Sequence, residues 1–306
     1  MEQKGNSVLA NTSSGRDSVD NMPKAMAWMI LSGFSFALMG AMVKLSGDVA
    51  LPTKVFFRNL VTLGLTTLVA IRTGENVLAS TPNAWRLIFR SVFGLCGVTL
   101  YFFALGRMNL ADASLLNKTS PFFASGLAVL LLGERFHRAL IPALAAAFIG
   151  AMLVIKPQFD YSALPAMAGL GSGLFAGMAY TVVRSLKGKE SPNRIIFTFS
   201  LVSSLATLPF LIASPPQPTV GQWWTLAGTG VFAAGGQFGL TFAYHHARVS
   251  RISLFTYLHV LFALVVGFVL WGERPDLYSW LGGLLIIGAA MQAHRAGRND
   301  GRERQQ

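Results

Sequence analysis

Four basic residues of this 306-residue chain stand inside long apolar stretches of the sequence: Lys44, Arg58, Arg90 and Lys118. The chain has 25 Lys and Arg residues and 13 Asp and Glu residues, and all 13 acids stand in tails, in loops or at helix ends. Charged side chains within a membrane are costly and usually serve a function. Because no carboxylate accompanies the four cations, they are suited to an anionic or zwitterionic ligand, and neither an organic-cation pocket nor an Asp/Glu proton relay is expected.

The depth of each cation decides how well a ligand-binding role competes with a purely topological one. Lys44 and Arg58 stand near helix ends, where long side chains reach the membrane interface, so an interfacial position is favoured for both. Arg90 stands three residues into its stretch, and both roles stay open for it. Lys118 stands five residues in, about 8 Å deep at roughly 1.5 Å per residue, which favours a ligand-facing role.

The stretches that hold these residues predict an all-α integral membrane protein. Charged residues make up 12% of the chain against roughly 25% in soluble domains, and a single cysteine, Cys96, excludes a disulfide framework. A membrane-spanning helix needs about 20 apolar residues. Ten such stretches are present, near residues 25–45, 55–71, 87–106, 113–132, 139–155, 166–183, 195–213, 223–244, 252–271 and 277–293. The polar residues 1–24 predict a disordered tail and residues 295–306 a second tail.

The chain also contains an internal repeat. Residues 85–135 align without a gap with residues 224–274 and share 15 identities, ending on Gly-Glu-Arg in both copies. Five helices per copy is an odd number, so the second copy must enter the membrane in the opposite orientation. Inverted repeats are typical of alternating-access transporters, which hold the substrate near the midplane. We therefore predict ten transmembrane helices as two inverted five-helix repeats, residues 25–157 and 165–294.

Positions at which the two copies differ in polarity mark further candidates, because repeat symmetry alone does not explain them. Such pairs include Lys118/Tyr257, Asn117/Thr256, Ser120/His259 and Val98/Gln237. The residues before Pro121 gain weight because a helix proline leaves a backbone carbonyl unpaired and opens room for a polar pocket. The predicted substrate-binding residues are Lys118, Asn117, Ser120, Arg90, Tyr101, Tyr180, Gln237, Tyr257 and His259.

Some of these candidates have a competing structural explanation. Tyr101 and Tyr180 are suited to form aromatic walls, although plain packing is the favoured interpretation. His259 is the group at depth that titrates near neutral pH, but a neutral histidine bonded to a helix backbone explains it at least as well as proton coupling. No metal or cofactor site is predicted, since His245 and His246 adjoin no acidic residue or cysteine.

The Lys and Arg residues between the stretches predict the orientation, because positively charged loops remain on the cytoplasmic side. With both termini in the cytoplasm, 17 of these residues fall in cytoplasmic segments and 4 in outer loops. We therefore expect a multi-pass protein of the inner (plasma) membrane with both termini cytoplasmic. The basic residues are scattered rather than gathered in runs, so the net charge of +12 does not indicate nucleic-acid binding.

Several motifs in these stretches resemble the drug/metabolite transporter superfamily, specifically its ten-helix EamA-type branch. They are Phe57-Arg58-Asn59, Arg90-x-x-x-Gly94 followed by Tyr101-Phe102-Phe103-Ala104-Leu105, and Ala113-Ser114 leading through Pro121 to Leu132-Gly133-Glu134. The resemblance covers about residues 25–294 and recurs in both halves. It departs from the pattern at Val260, which stands where the first half has Pro121, so the proline that kinks this helix is absent from the second half.

Taken together, these features predict a secondary transporter of small polar metabolites, anionic or zwitterionic, such as amino acids or their derivatives. The resemblance implies the same function. A lipid-linked substrate flippase is the alternative within transport. An integral-membrane enzyme would need a constellation such as Gly-x-Ser-x-Gly or paired membrane carboxylates, which this sequence lacks. A receptor or scaffold would not explain the inverted duplication. The expected partners are a small-molecule substrate and the lipid bilayer, with a homodimer left open.

Overall fold

The computed structural model describes residues 21–107, 110–133, 140–155, 163–272 and 276–303, and the regular elements within these ranges are helices. The predicted tail of residues 1–24 lies outside them up to residue 20. In chain order the helices are α1 (Met22–Leu45), α2 (Leu51–Thr73), α3 (Ala84–Leu105), α4 (Leu110–Asn117), α5 (Ser120–Leu132), α6 (Leu140–Ile155), α7 (Ala163–Ser185), α8 (Pro192–Ala213), α9 (Val220–His246), α10 (Val249–Ile252), a 3-10 helix (Ser253–Tyr257), α11 (Leu258–Trp271) and α12 (Leu277–Glu303).

The lengths and compositions of these helices match a multi-pass membrane protein. Seven segments of the described chain are long and apolar enough to cross a membrane: Met22–Leu45, Leu51–Thr73, Ala84–Leu105, Ala113–Leu132, Ala163–Ser185, Pro192–Ala213 and Leu254–Trp271. Ile141–Leu153 and Trp280–Ala289 are shorter apolar helices. Each of the ten predicted stretches begins within four residues of the first residue of an observed helix. The last helix, α12, extends past the predicted end of its stretch to Glu303. The all-α prediction is confirmed.

The two halves of the chain pack against each other in a symmetric pattern. Helices α7 and α9 are the second-half counterparts of α1 and α3. The extensive contact of α1 with α9 is therefore equivalent, by the symmetry of the repeats, to the contact of α7 with α3. The pairs α2 with α8 and α6 with α12 join counterparts directly. Since all four pairings cross between halves, the core of the protein lies at the interface of the two repeats.

Glycines at equivalent positions permit the close approach of these helices. A Cβ atom on Gly236 of α9 would collide with the ring of Phe36 on α1, and one on Gly97 of α3 would lie 3.3 Å from the backbone nitrogen of Ala176 on α7. The Ser32 hydroxyl donates a 2.8 Å hydrogen bond to the Gly236 carbonyl at the first of these contacts. Small residues have this role in helix packing within membranes.

Two spans are broken at equivalent positions of the repeats. In the first half α4 ends at Asn117 and α5 begins at Ser120, and in the second half the 3-10 helix Ser253–Tyr257 precedes α11. Pro121 accounts for the first break because it removes a backbone donor and clashes with the preceding turn. The second break occurs although Val260 occupies the equivalent position, so the sequence did not indicate it.

Contacts with the opposite half accompany the second break. The Tyr257 hydroxyl donates a 2.8 Å hydrogen bond to the backbone carbonyl of Lys118, which lies in the first break at the equivalent position of the repeat. A Cβ atom on Gly33 of α1 would lie 3.2 Å from the backbone nitrogen of His259, so α1 packs directly on the start of α11. Contacts with the first half therefore stabilise the second helix break, whereas Pro121 accounts for the first.

Candidate functional site

A cavity lies between the two halves beside both helix breaks, and its empty volume, counted to its open mouth, is about 760 Å³. Seven of the nine predicted site residues line this cavity, whereas Ser120 and Tyr257 are buried outside the lining. The full lining is Phe36, Met39, Arg58, Arg90, Gly94, Gly97, Val98, Tyr101, Phe102, Ser114, Asn117, Lys118, Ala176, Ala179, Tyr180, Phe199, Gln237 and His259.

Two arginines from neighbouring helices meet over one aromatic ring of this cavity. The guanidinium carbons of Arg58 on α2 and Arg90 on α3 lie 5.5 and 4.0 Å from the ring centroid of Phe199 on α8. Arg58 Nη1 donates to Asn59 Oδ1 at 2.9 Å, and Arg90 Nη2 donates to Gln237 Oε1 at 2.8 Å. Cation–π contacts and one amide acceptor for each guanidinium therefore hold both charges inside the protein.

These contacts leave part of each guanidinium without an acceptor. Arg58 is 1% and Arg90 2% exposed, and Arg58 Nε, Arg90 Nε and Arg90 Nη1 have no hydrogen-bond partner within the described chain. The two positive charges also act on each other. A buried donor left without an acceptor costs about 1–3 kcal/mol, and more when it is charged. The arginine pair is thus a site at which a bound anion would remove an existing cost.

Lys118 provides a third cation at the first helix break. Its side chain is half-buried, and its ammonium makes no hydrogen bond or ion pair with the described residues. The break itself is held on two sides. The Tyr257 hydroxyl donates to the Lys118 carbonyl, and Asn117 Nδ2 donates to Ser172 Oγ on α7 at 3.0 Å. Tyr257 therefore supports Lys118 from outside the cavity.

The aromatic and titratable candidates combine packing with a place in the cavity wall. The Tyr101 hydroxyl is 3.0 Å from Ser114 Oγ, and the ring of Tyr180 stacks on Tyr244 with centroids 5.3 Å apart. His259 is buried, its ring interacts with the backbone of Phe36, and its Nδ1 has no partner among the described residues. Both predicted explanations for His259, a neutral structural histidine and a proton-coupling group, stay predictions.

Sequence reasoning missed two principal members of the site. Arg58 was favoured at the membrane interface, but it is buried in the cavity because Asn59 and Phe199 offer it partners there. The Phe57-Arg58-Asn59 motif contained the signal, since the acceptor is the next residue. Nothing in the sequence distinguished Phe199 from the other aromatic residues of the apolar stretches.

A second, wider recess adjoins this cavity at the predicted outer end, with an empty volume of about 1250 Å³. Phe102 lines both spaces. Lys44, Lys54 and Arg107 line the recess together with one acid, Asp48. Lys44, which was favoured at the interface, lies there with its Nζ 4.2 Å from the ring centroid of Trp271. The approach to the central cavity from this end is therefore wide and mainly basic.

At the predicted cytoplasmic end, by contrast, the loops of the two halves are joined through Glu190. Its carboxylate accepts hydrogen bonds from Thr81 Oγ1, from Asn83 Nδ2 at 3.0 Å and from Arg194 Nη1 at 2.8 Å. Burial alone would raise the pKa of Glu190, but these three bonds and the charge of Arg194 outweigh it and hold the pKa below its ordinary value.

A second carboxylate, Glu75 in the loop after α2, also joins the two halves. It accepts hydrogen bonds from Ser191 Oγ and from Asn193 Nδ2, the latter at 3.2 Å. We call Glu75, Glu190 and their five donors the carboxylate cluster. The cluster ties the loop between α2 and α3 to the loop between α7 and α8, so this end of the interface is closed by polar bonds.

Comparisons with known proteins agree with this architecture. The profile described as "EamA-like transporter family" matches residues 23–156 and again residues 163–292. A crystal structure of a protein with 15% sequence identity has a TM-score of 0.78 and covers 90% of this chain and 98% of that chain, which shows a common fold.

Two curated relatives extend the comparison. The chain is 32% identical over 282 residues to the pseudopaline exporter CntI of Pseudomonas aeruginosa (strain UCBPP-PA14), which covers 90% of this chain and 98% of the relative. It is 30% identical over 275 residues to a riboflavin transporter of Rhizobium johnstonii, with 86% and 88% covered. The resemblance drawn from the motifs is thereby confirmed, together with the ten-helix fold in two repeats. The chain belongs to the EamA-like transporter family and is a multi-pass membrane transporter of a small molecule.

Proposed function

We propose that this transporter moves small polar metabolites that carry an anionic group, as anions or as zwitterions such as amino acids and their derivatives. The observation that supports this proposal is the charge of the cavity lining. It holds three cations, Arg58, Arg90 and Lys118, and no carboxylate among the described residues. An anion bound there supplies the acceptors that the buried donors lack, and each such charge-assisted bond is worth about 1.5–3 kcal/mol.

The transport cycle follows from the position of the cavity between inverted repeats. With the basic recess on the outer side and the carboxylate cluster on the cytoplasmic side, the described conformation corresponds to an outward-open state. Rocking of one repeat against the other breaks the carboxylate cluster and closes the recess, so the substrate meets each side of the membrane in turn.

The orientation belongs to this proposal and has its own test. Both termini are cytoplasmic in the plasma membrane, as the distribution of Lys and Arg requires. In a Cys96→Ala chain, the substitutions Glu2→Cys and Arg302→Cys should each escape a membrane-impermeant maleimide in intact cells and react after permeabilisation. Labelling of either position in intact cells contradicts the orientation.

The function is tested with purified protein in liposomes and radiolabelled amino acids, organic anions, nucleosides and organic cations. We expect uptake of compounds with an anionic group, and a loss of about 10- to 100-fold in Arg90→Gln, as the removal of one charge-assisted contact predicts. Arg86→Gln is the matched control, because Arg86 lies one turn earlier on α3 and contacts Trp85 outside the cavity. Transport of organic cations alone overturns the proposal.

A further inference from the structure

The three cations of the cavity form two separate groups. Arg58 and Arg90 share the ring of Phe199, and their charges act on each other. Lys118 lies at the break between α4 and α5, and no hydrogen bond or shared ring contact among the described residues joins it to either arginine. We call these groups the arginine pole (Arg58 and Arg90) and the lysine pole (Lys118).

The arginine pole is built around its unused donors. Gln237 satisfies one nitrogen of Arg90, while Arg90 Nε and Nη1 have no acceptor although the residue is 2% exposed. Gly94 makes this arrangement possible. A Cβ atom there would lie 2.5 Å from Arg90 Nη1 and 2.8 Å from the ring of Phe199, so a larger residue would displace the guanidinium. The packing therefore holds free donors in place at the cavity wall.

The lysine pole has an independent set of unused groups in the same cavity lining. The Lys118 side chain lines the cavity, and the buried Nδ1 of His259 has no hydrogen-bond partner among the described residues. The wall also contains Val98 and Phe102, which offer apolar and aromatic surface rather than acceptors. Neither pole can neutralise the other, because both are positive.

A substrate with a single anionic group satisfies one pole and leaves the cation of the other without a counterion. We propose that the preferred substrate carries two anionic groups on a short spacer, one held by the arginine pole and one by the lysine pole. This inference rests on the proposed function, which requires only one anionic group, and it narrows the substrate class to dianions or to zwitterions with a second acidic group.

The test measures binding to purified protein in lipid nanodiscs by isothermal titration calorimetry. The probes are linear dicarboxylates with two to six methylene groups, each compared with its monomethyl ester, which keeps the spacer and removes one charge. A diacid of matching length should bind about 10- to 100-fold more tightly than its monoester, the gain from one charge-assisted contact.

Variants assign the second anionic group to Lys118. Lys118→Met and Lys118→Gln should weaken diacid binding to about the affinity of the monoester and so abolish the preference for the diacid, whereas Arg90→Gln should weaken both ligands. Lys24→Met is the matched control, since Lys24 is exposed at the start of α1 and should leave both affinities unchanged. Size-exclusion chromatography and thermal unfolding establish that each variant is folded.

The outcomes separate this inference from the proposed function. Equal affinity for diacids and monoesters, or a diacid preference that survives both Lys118 variants, overturns the two-pole inference while anion transport stands. Failure of the folded wild-type protein to bind any of these carboxylates and to transport any compound with an anionic group overturns both.

Discussion

The two halves of this transporter contribute different chemistry to one cavity. The first half supplies all three cations of the lining, and the second half supplies groups that pack on them or accept from them, such as Phe199 and Gln237. The backbone remains symmetric, since both halves break a helix at the same repeat position and pack glycines on the opposite half. The two halves thus share a backbone architecture but differ in their side chains. The candidate site forms only at the interface between them.

The pair Lys118 and Tyr257 shows this divergence at a single repeat position. Lys118 presents an ammonium to the cavity, whereas Tyr257 is fully buried and donates its hydroxyl to the Lys118 carbonyl. One copy of the position therefore faces the cavity, and the other supports the backbone of the first. Equivalent positions in a duplicated transporter are not evidence of equivalent roles.

The largest effect is expected when the ring shared by both arginines is removed. Phe199→Ala should destabilise the protein at the lower end of the about 3–5 kcal/mol typical of buried Phe→Ala changes, since lipid rather than water surrounds the alternative states. Uptake of anions should be lost as well. Phe210→Ala on the same helix is the control, because Phe210 is exposed on the outer surface. Equal loss of stability in the two variants, measured by thermal unfolding, contradicts the central position of Phe199.

A smaller effect is expected when Gln237 takes the residue of its first-half counterpart. Gln237→Val removes the acceptor of Arg90 Nη2 and should cost about 1.5–3 kcal/mol of stability, the value of a hydrogen bond to a charged group. Gln237→Glu keeps an acceptor at nearly the same place but cancels the charge of the arginine. We therefore expect this variant to be stable and to transport anions poorly. Full anion uptake by Gln237→Glu would show that net charge at this pole is irrelevant.

Two matched variants test the different roles of Lys118 and Tyr257, which occupy equivalent positions of the two repeats. Tyr257→Phe removes one neutral hydrogen bond and should lower stability by about 0.5–1.5 kcal/mol, with a modest change in substrate affinity. Lys118→Met keeps the bond to the backbone carbonyl and should lower affinity without lowering stability. Titration calorimetry and thermal unfolding of both variants decide the point, and the reverse pattern would assign the roles the other way round.

The carboxylate cluster joins the same two halves outside the membrane-spanning segments, and its contribution should depend on pH. Because the pKa of Glu190 is held below its ordinary value, the bonds to Glu190 stabilise the protein above that value, and this stability is lost as pH falls through the lowered pKa. The stability difference between wild type and Glu190→Gln should therefore be constant near neutral pH and disappear in acid. A difference that grows on acidification is incompatible with this assignment.

The smallest effect is expected at His259, the second-half counterpart of Ser120. No described carboxylate lines the cavity, so we expect facilitated movement or exchange rather than a proton relay through this side chain. An imposed pH gradient should alter uptake equally in wild type and His259→Gln liposomes. Accumulation driven by the gradient that disappears only in the variant would make His259 the coupling residue.

Much of the fold could be predicted because it depends on composition and spacing. The ten apolar stretches, the duplication and the break before Pro121 are properties of neighbouring residues or of a register along the chain. Lys118 and Asn117 were found for the same reason, since depth in a stretch and proximity to proline are local features. Gln237 was found because it breaks the polarity shared by the repeats, although its partner Arg90 lies 147 residues away.

The sequence by itself determined that this protein is a duplicated helical membrane protein and that its buried charge is positive, because composition and order along the chain carry that information. Only the tertiary structure decided that Arg58 turns inward, that Phe199 lies beneath both arginines, and that Tyr257 supports Lys118 from outside the cavity. The physical reason is that a long flexible side chain takes the direction in which it finds hydrogen-bond and packing partners. Here those partners come mainly from the other half of the chain, which folding alone brings within reach.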